Sequence, residues 1–175
     1  MKPSLNSLLI TVLIVLGAAS CNNKPNEFDL IFVTEIETIL HDSSSLKKSE
    51  SFEKYLEVGE GDQTIYELTV KNDIEGAMDA VNWRKTFFYV NDKLQKDRIY
   101  YLQNGDEMTS YSFIGGAWIG IEKLYGTNGA FNVKSITDTC LQINVLGDWK
   151  ADFLKADTIE NITIVSDTIL TFRKK

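Results

Sequence analysis

The chain has 175 residues, a length that fits one domain, and it carries 25 acidic side chains against 18 Lys and Arg, one His and two Cys. A formal net charge of −7 argues against a nucleic-acid-binding protein, because such proteins need a basic face to displace counterions from phosphate. A single His excludes a multi-histidine metal site, and two Cys exclude a zinc ribbon or a disulfide scaffold.

The first twenty residues have the organisation of a signal peptide. Lys2 supplies a positive charge, and the run over 8–16 is apolar at every position except Thr11. This run has the length of a signal-peptide hydrophobic region, roughly 7–15 residues, and is far shorter than the roughly 20 that a membrane-spanning helix requires. We therefore predict a signal peptide over 1–20.

Small residues follow this run and end at a cysteine, in the order Gly17-Ala18-Ala19-Ser20-Cys21. The pattern resembles the lipobox of bacterial lipoproteins, in particular those of Bacteroidota, with Ala18 where the commonest lipobox has Leu. The resemblance implies diacylglycerol on the Cys21 thiol, cleavage before Cys21 and acylation of the new amino group. The alternative is a secreted protein cut after Ala19 or Ser20, in which Cys21 is incidental.

Lipidation at Cys21 would hold the mature chain on a membrane, because two or more acyl chains anchor a protein stably. We then expect a lipidated tether over 21–27 and a single β-rich domain over 28–175. The expected location is the cell envelope, and the outer membrane rather than the inner one. Asn22 stands where the inner-membrane retention signal of enteric bacteria has Asp. The sequence leaves both the periplasmic face and the cell-surface face of that membrane open as locations.

The predicted helices, one to three in number, are short and lie mostly in the N-terminal half of the domain. Between 28 and 40 the apolar spacing favours one helix face, although β-branched residues keep a strand open as the alternative. The charged segment 45–56 predicts an exposed helix or a loop. A short helix capped by Asp73 is expected over 73–81.

From residue 64 onward the pattern predicts short strands separated by turns. Side chains over 64–70 alternate between apolar and polar, and Asn104-Gly105 is the strongest hairpin signal in the chain. Eight or nine strands with turns every 8–12 residues predict an antiparallel meander that forms a small barrel or a sandwich of lipocalin-like size. The predicted strands cover 64–70, 86–90, 98–102, 109–114, 117–124, 130–136, 141–146, 159–165 and 168–172.

Two tryptophans lie in a Gly-x-Trp spacing, at Gly116-Ala117-Trp118 and Gly147-Asp148-Trp149. This spacing is similar to a lipocalin motif, and the chain has a broader likeness to small lipocalin-like lipoproteins. The likeness implies a barrel with a ligand mouth, for which Trp118, Tyr125 and Trp149 are the candidate contacts. The alternative is that Trp118 and Trp149 are large core or rim residues beside turns.

The spacing of the polar residues does not identify a set of catalytic side chains. Asp106 and Glu107 fall in a predicted turn, where Asp is a routine residue. His41, followed by Asp42 and Ser43, cannot form a triad, because consecutive residues lack the mutual geometry that a triad needs. We expect His41 to face solvent at the end of a helix. We expect neither a cofactor nor a metal.

Asp157-Thr158-Ile159 and Asp167-Thr168-Ile169 resemble the Asp-Ser/Thr-aliphatic pattern that Bacteroidota use for O-glycosylation. The resemblance implies modification of Thr158 and Thr168. Both segments also have the composition of turns that lead into strands, so this structural interpretation stays open.

These features together predict a lipid-anchored cell-envelope protein with a non-catalytic binding role. Its lipid would attach it to the membrane, and its binding partner would be a small ligand or another envelope protein. One alternative is a hydrolase that acts on carbohydrate or peptide through acidic residues. Another is a structural subunit of an outer-membrane complex.

Overall fold

The regular secondary structure is entirely β in the residues that the computed structural model describes, which are 32–51, 55–74, 82–103, 105, 107–116, 120–155 and 158–175. Among them no helix is long and apolar enough to cross a membrane. The ten strands are β1 (Phe32–Lys48), β2 (Leu56–Glu60), β3 (Gln63–Ile74), β4 (Asn82–Val90), β5 (Ile99–Tyr101), β6 (Met108–Gly116), β7 (Gly120–Thr137), β8 (Cys140–Lys155), β9 (Thr158–Ser166) and β10 (Ile169–Lys174).

The mainly β fold is confirmed, whereas the predicted helices are wrong wherever their residues are described. The segment 28–40 is strand from Phe32 onward, and 45–56 contributes to β1 and β2. Thr34, Ile36 and Thr38 favour the extended backbone, and their strand is paired on both sides, with β3 and β10. Residues 75–81, most of the third predicted helix, lie outside the described residues.

Seven strands pair edge to edge into a closed ring in the order β1-β3-β4-β6-β7-β8-β10, with β10 returning to β1. Every pair in the ring is antiparallel except β1–β10, which is parallel through Ile39 opposite Arg173 and Leu40 opposite Lys174. The antiparallel meander is therefore only partly confirmed, because β1 pairs in parallel with β10 and β5 pairs with β7 instead of its sequence neighbours. Strands β2, β5 and β9 extend from the ring on β1, β7 and β8.

An aromatic cluster fills the inside of the ring. Phe88 stacks on Tyr66 with ring centroids 5.0 Å apart, and it meets Phe131, Trp149 and Phe172 at 5.5–5.9 Å. Aromatic pairs at such distances add about 0.5–1.5 kcal/mol each beyond the area that they bury. The rings come from five different strands, so the cluster ties the ring together across its interior.

A second, smaller core lies on the outer face of β3, β4 and β6. Strand β1 bends at Ser43, whose φ is +50°, and its register with β3 shifts between His41 and Ser44. The chain beyond the bend pairs with β2, and this outer flap (44–48 and 55–60) covers Ile65, Phe87 and Phe113. The bend therefore buries a face of the sheet that would otherwise meet solvent.

Candidate functional site

A cleft of about 910 Å³ opens at one end of the ring. Its floor consists of Leu40 from β1, Tyr66 from β3, Val90 from β4 and Leu94 from the β4–β5 connection. The volume falls within the roughly 300–1,000 Å³ usual for small-molecule sites. The cleft forms here because the ring closes and leaves the ends of its strands around a common opening.

Tyr66 gives this apolar floor one polar group. Its ring is 4% exposed and stacks on Phe88, so the core fixes its position. Burial, together with the negative charge of Asp42, raises the pKa of Tyr66 to about 12. The hydroxyl is therefore protonated at neutral pH and can donate a hydrogen bond.

The rim of the cleft is acidic. Four carboxylates and one lysine belong to its lining, namely Asp42, Asp62, Asp92, Asp138 and Lys93. A concave site lined by one sign of charge raises the local concentration of ions of the opposite sign. Within the described residues, no group of three or more His, Cys, Asp or Glu side chains is arranged to hold a metal ion.

Asp42 is held as a carboxylate. Lys174 Nζ lies 2.9 Å from Asp42 Oδ2, and the backbone N–H of Ser43 donates to Asp42 Oδ1 at 3.0 Å. The Lys174 ammonium, with this N–H, keeps the pKa of Asp42 below its ordinary value. Asp42 can therefore accept hydrogen bonds and attract cations, but it is poorly suited to donate a proton near neutral pH.

The three other acidic rim residues lie in connections that are far apart in the sequence. Asp62 precedes β3, Asp92 follows β4, and Asp138 lies in the turn between β7 and β8. Each has the sequence context of an ordinary turn residue. Antiparallel pairing places these connections at one end of the sheet, and closure of the ring arranges them around one opening, so local sequence patterns could not identify the cleft.

His41 takes part in a charged cluster on the outer face of the ring, remote from the aromatic interior. Its Nε2 lies 2.7 Å from Oε2 of Glu67, and Nζ of Lys85 lies 2.6 Å from Oε1 of the same carboxylate. His41 belongs to strand β1, so the expectation of a solvent-facing position at a helix end is wrong. Side-chain exposure is only 22% for His41 and 10% for Glu67.

The two described candidate aromatic contacts, Tyr125 and Trp149, do not meet at the cleft. Tyr125 lies on β7 and is 57% exposed, whereas Trp149 on β8 is fully buried. The Trp149 indole N–H donates to the carbonyl of Ala130 at 3.0 Å, and neither Tyr125 nor Trp149 lines the cleft. Trp149 is thus a core residue, and the predicted ligand contact has no exposed surface through which to act. Trp118 lies outside the described residues.

Two of the three residues predicted to be modified, Thr158 and Thr168, are described, and they differ in exposure. Cys21 lies outside the described residues. Thr158 is exposed at the start of β9, whereas Thr168 is partly buried and its carbonyl accepts from the N–H of Val145 at 2.8 Å. Asp167 binds the backbone of Gly147 through both its carboxylate and its N–H, which gives this copy of the pattern a turn-forming role. Glycosylation at either threonine stays a prediction.

Comparisons with protein-family models, with curated proteins and with solved structures find no match to this chain.

Proposed function

We propose that this protein is a lipid-anchored component of the cell envelope that binds a small ligand without transforming it. In this proposal the ring of strands is a small barrel, and the cleft at its end is the ligand mouth. The ligand carries a cationic group and a short apolar part. The observation that carries the proposal is the cleft itself, whose apolar floor lies beneath a rim of four carboxylates.

The charge of the rim supports a cation rather than an anion. Lys93 is the single basic residue among the described lining, and the cation nearest to Asp42 is Lys174, which already forms an ion pair with it. An ammonium group can exchange water for carboxylate oxygens, and the apolar residues of the lining can contact an alkyl chain. An anionic ligand would have to approach the same carboxylates against repulsion.

Hexylammonium is a suitable probe, because hexanol has the same tail without the charge. We expect hexylammonium to bind to the purified chain more tightly than hexanol does, and to lose affinity as salt is added. In the double variant Asp62→Asn/Asp138→Asn, affinity should fall about fivefold, which corresponds to roughly 1 kcal/mol. Isothermal titration calorimetry measures all three comparisons.

The matched control is Glu160→Gln, which removes an exposed carboxylate from β9 and leaves the cleft lining unchanged. Its affinity for hexylammonium should equal that of the unmodified chain. Equal binding of hexanol and hexylammonium would refute the role of the acidic rim. If the acidic rim binds a cationic ligand, native mass spectrometry of the chain extracted from cells should detect a co-purifying amine.

A hydrolase is the second candidate, because the same four carboxylates line a concave site and glycosidases work through pairs of them. Turnover of a carbohydrate or peptide substrate that disappears in the Asp62→Asn/Asp138→Asn variant would favour this alternative over simple binding.

A further inference from the structure

A second cavity, of about 460 Å³, lies toward the other end of strand β1 and has the opposite electrostatic character. The acidic cleft is lined by Leu40 and Asp42, whereas this cavity is lined by Thr34 and Ile36 of the same strand. At about 3.3 Å per residue, Thr34 and Asp42 are separated by roughly 25 Å along the strand. The two cavities are therefore distinct.

Arg84 is the one charged side chain among the described residues that line this second cavity. It lies on β4, opposite Val70 of β3 and Ile114 of β6, and it shares a face with the fully buried Thr86. Alternation along β4 thus directs the guanidinium to the inside of the ring. Burial lowers the pKa of Arg84, although the group stays charged at neutral pH.

The groups that hold Arg84 are neutral. Its Nη1 donates to the carbonyl of Thr163 on β9. When the Asn72 amide is oriented with its oxygen toward Arg84, Nη2 donates to that oxygen. In that orientation the Asn72 nitrogen donates to Thr34 Oγ1 at 3.2 Å. These bonds fix the plane of the guanidinium and leave N–H donors to spare, since an arginine has five.

No acidic side chain of the described part of the chain forms an ion pair with Arg84. Arg98, by contrast, is paired with Glu107 on the surface. A partly buried cation that has no counter-charge among the described residues costs free energy, and an anion that enters the cavity would recover part of it. The arrangement therefore favours a negatively charged ligand.

The rest of the lining indicates which anion fits. Hydroxyl groups of Thr34 and Thr168 accompany a single positive charge, which matches a monoanion better than a doubly charged phosphate. The planar guanidinium fork matches the two oxygens of a carboxylate. Ile36, Val70 and Ile164 supply apolar surface on which an alkyl chain can lie.

We propose that Arg84 and the surrounding hydroxyls form a second binding site, which takes the carboxylate of a small aliphatic acid. The site is independent of the acidic cleft and goes beyond the function proposed above. It gives the protein two sites of opposite charge preference toward the two ends of one ring.

Hexanoate is the probe for this site, with hexanol and inorganic phosphate as comparisons. On addition of hexanoate to the full chain, the Nε–Hε resonance of Arg84 should shift more than that of Arg98. In Arg84→Gln the affinity for hexanoate should fall at least tenfold. In Arg84→Lys, which keeps the charge but loses the planar fork, we expect a loss of about fivefold.

Arg98→Gln is the matched control, because it removes a surface arginine and should leave hexanoate affinity unchanged. Circular dichroism and the thermal midpoint report whether each variant folds. Should Arg84→Gln fail to fold, the Nε–Hε shift in the unmodified chain decides by itself, and its absence at saturating hexanoate overturns the proposal.

Three further results would overturn the assignment. These are equal binding of hexanol and hexanoate, tighter binding of phosphate than of hexanoate, and unchanged hexanoate affinity in a folded Arg84→Gln variant. The Asp62→Asn/Asp138→Asn variant separates the two proposals, because it should impair hexylammonium binding and leave hexanoate binding intact.

Discussion

The ammonium of Lys85 lies 2.6 Å from a carboxylate oxygen of Glu67 on the outer face of the sheet. His41 Nε2 lies 2.7 Å from the other oxygen, Oε2, and Thr69 Oγ1 donates at 3.4 Å to Oε1, the oxygen that Lys85 contacts. Lys85 also interacts with the hydroxyl of Tyr55 from the outer flap. The cluster therefore connects β1, β3, β4 and the flap through one buried carboxylate.

Replacing Glu67 by Gln should destabilise the fold by about 2–4 kcal/mol, because Lys85 is then left partly buried without its counter-charge. Urea denaturation measures this free energy of unfolding. Glu35→Gln is the matched control, since Glu35 is 64% exposed and lies 3.5 Å from Lys71. Its cost should be below about 1 kcal/mol, as is usual for a surface pair. Equal losses in the two variants would contradict the structural role of Glu67.

The same cluster predicts how stability depends on pH. Burial by itself would raise the pKa of Glu67, but Lys85 and His41 outweigh it and hold the pKa below its ordinary value of 4.5. The unfolded chain therefore takes up this proton at a higher pH than the folded chain does. The contribution of Glu67 is present above about pH 4.5 and is lost as the pH falls through the lower folded pKa.

Unfolding free energies measured between pH 3 and 7 should show this acid loss in the unmodified chain and a flatter profile in Glu67→Gln. Lys85 does not contribute to the pH dependence of the unfolding free energy in that range. Glu67 and Tyr55 raise the pKa of Lys85 above 10.5, against the effect of burial, so its contribution is lost only at alkaline pH. Identical acid slopes in the two proteins would contradict the prediction.

Gly129 is required for the packing of Trp149. A Cβ atom at position 129 would lie 2.2 Å from Cδ1 of the fully buried indole, which the ring interior holds in place. We expect Gly129→Ala to cost at least about 1–3 kcal/mol, the usual range for overpacking a core. Gly105→Ala is the control, because nothing lies within 4 Å of its added Cβ. Thermal unfolding followed by tryptophan fluorescence compares the two.

Anchoring through Cys21 has its own test. Cells that express the chain should incorporate labelled palmitate into it, and Cys21→Ala should abolish both the label and recovery of the chain with membranes. Cys140→Ala, which removes the thiol at the start of β8, should keep both. Labelling that survives in Cys21→Ala would exclude the lipobox.

Alternation in the sequence predicted the inside of the ring well and its outside poorly. Tyr66, Leu68 and Val70 are buried as their period of two indicated. Glu67 and Thr69, the polar half of the same pattern, are also buried. Glu67 is paired with His41 of β1 and Lys85 of β4, and Thr69 Oγ1 donates to its carboxylate. No local pattern in 64–70 carries information about these partners from neighbouring strands.

The candidate site was hard to predict for a related reason. The turn expected between 124 and 130 is a bend within β7, where Gly126 has a φ of +57° and Tyr125 pairs with Asp152. Two predicted strands therefore became one long strand that contacts β6 at one end and β8 at the other. The continuity of β7 across 124–130 affects which turns meet at the cleft, and composition does not reveal that continuity.

The parallel contact between β1 and β10 has a consequence for how the chain folds. Ile39 pairs with Arg173, so the ring can close only after almost the entire chain is available. Contacts between such distant segments slow folding, because the entropy of closing the loop is lost before the contact forms. A chain truncated before Ile169 would leave the edges of β1 and β8 unpaired, and such edges promote aggregation. Completion of β10 therefore covers two strand edges that would otherwise promote self-association.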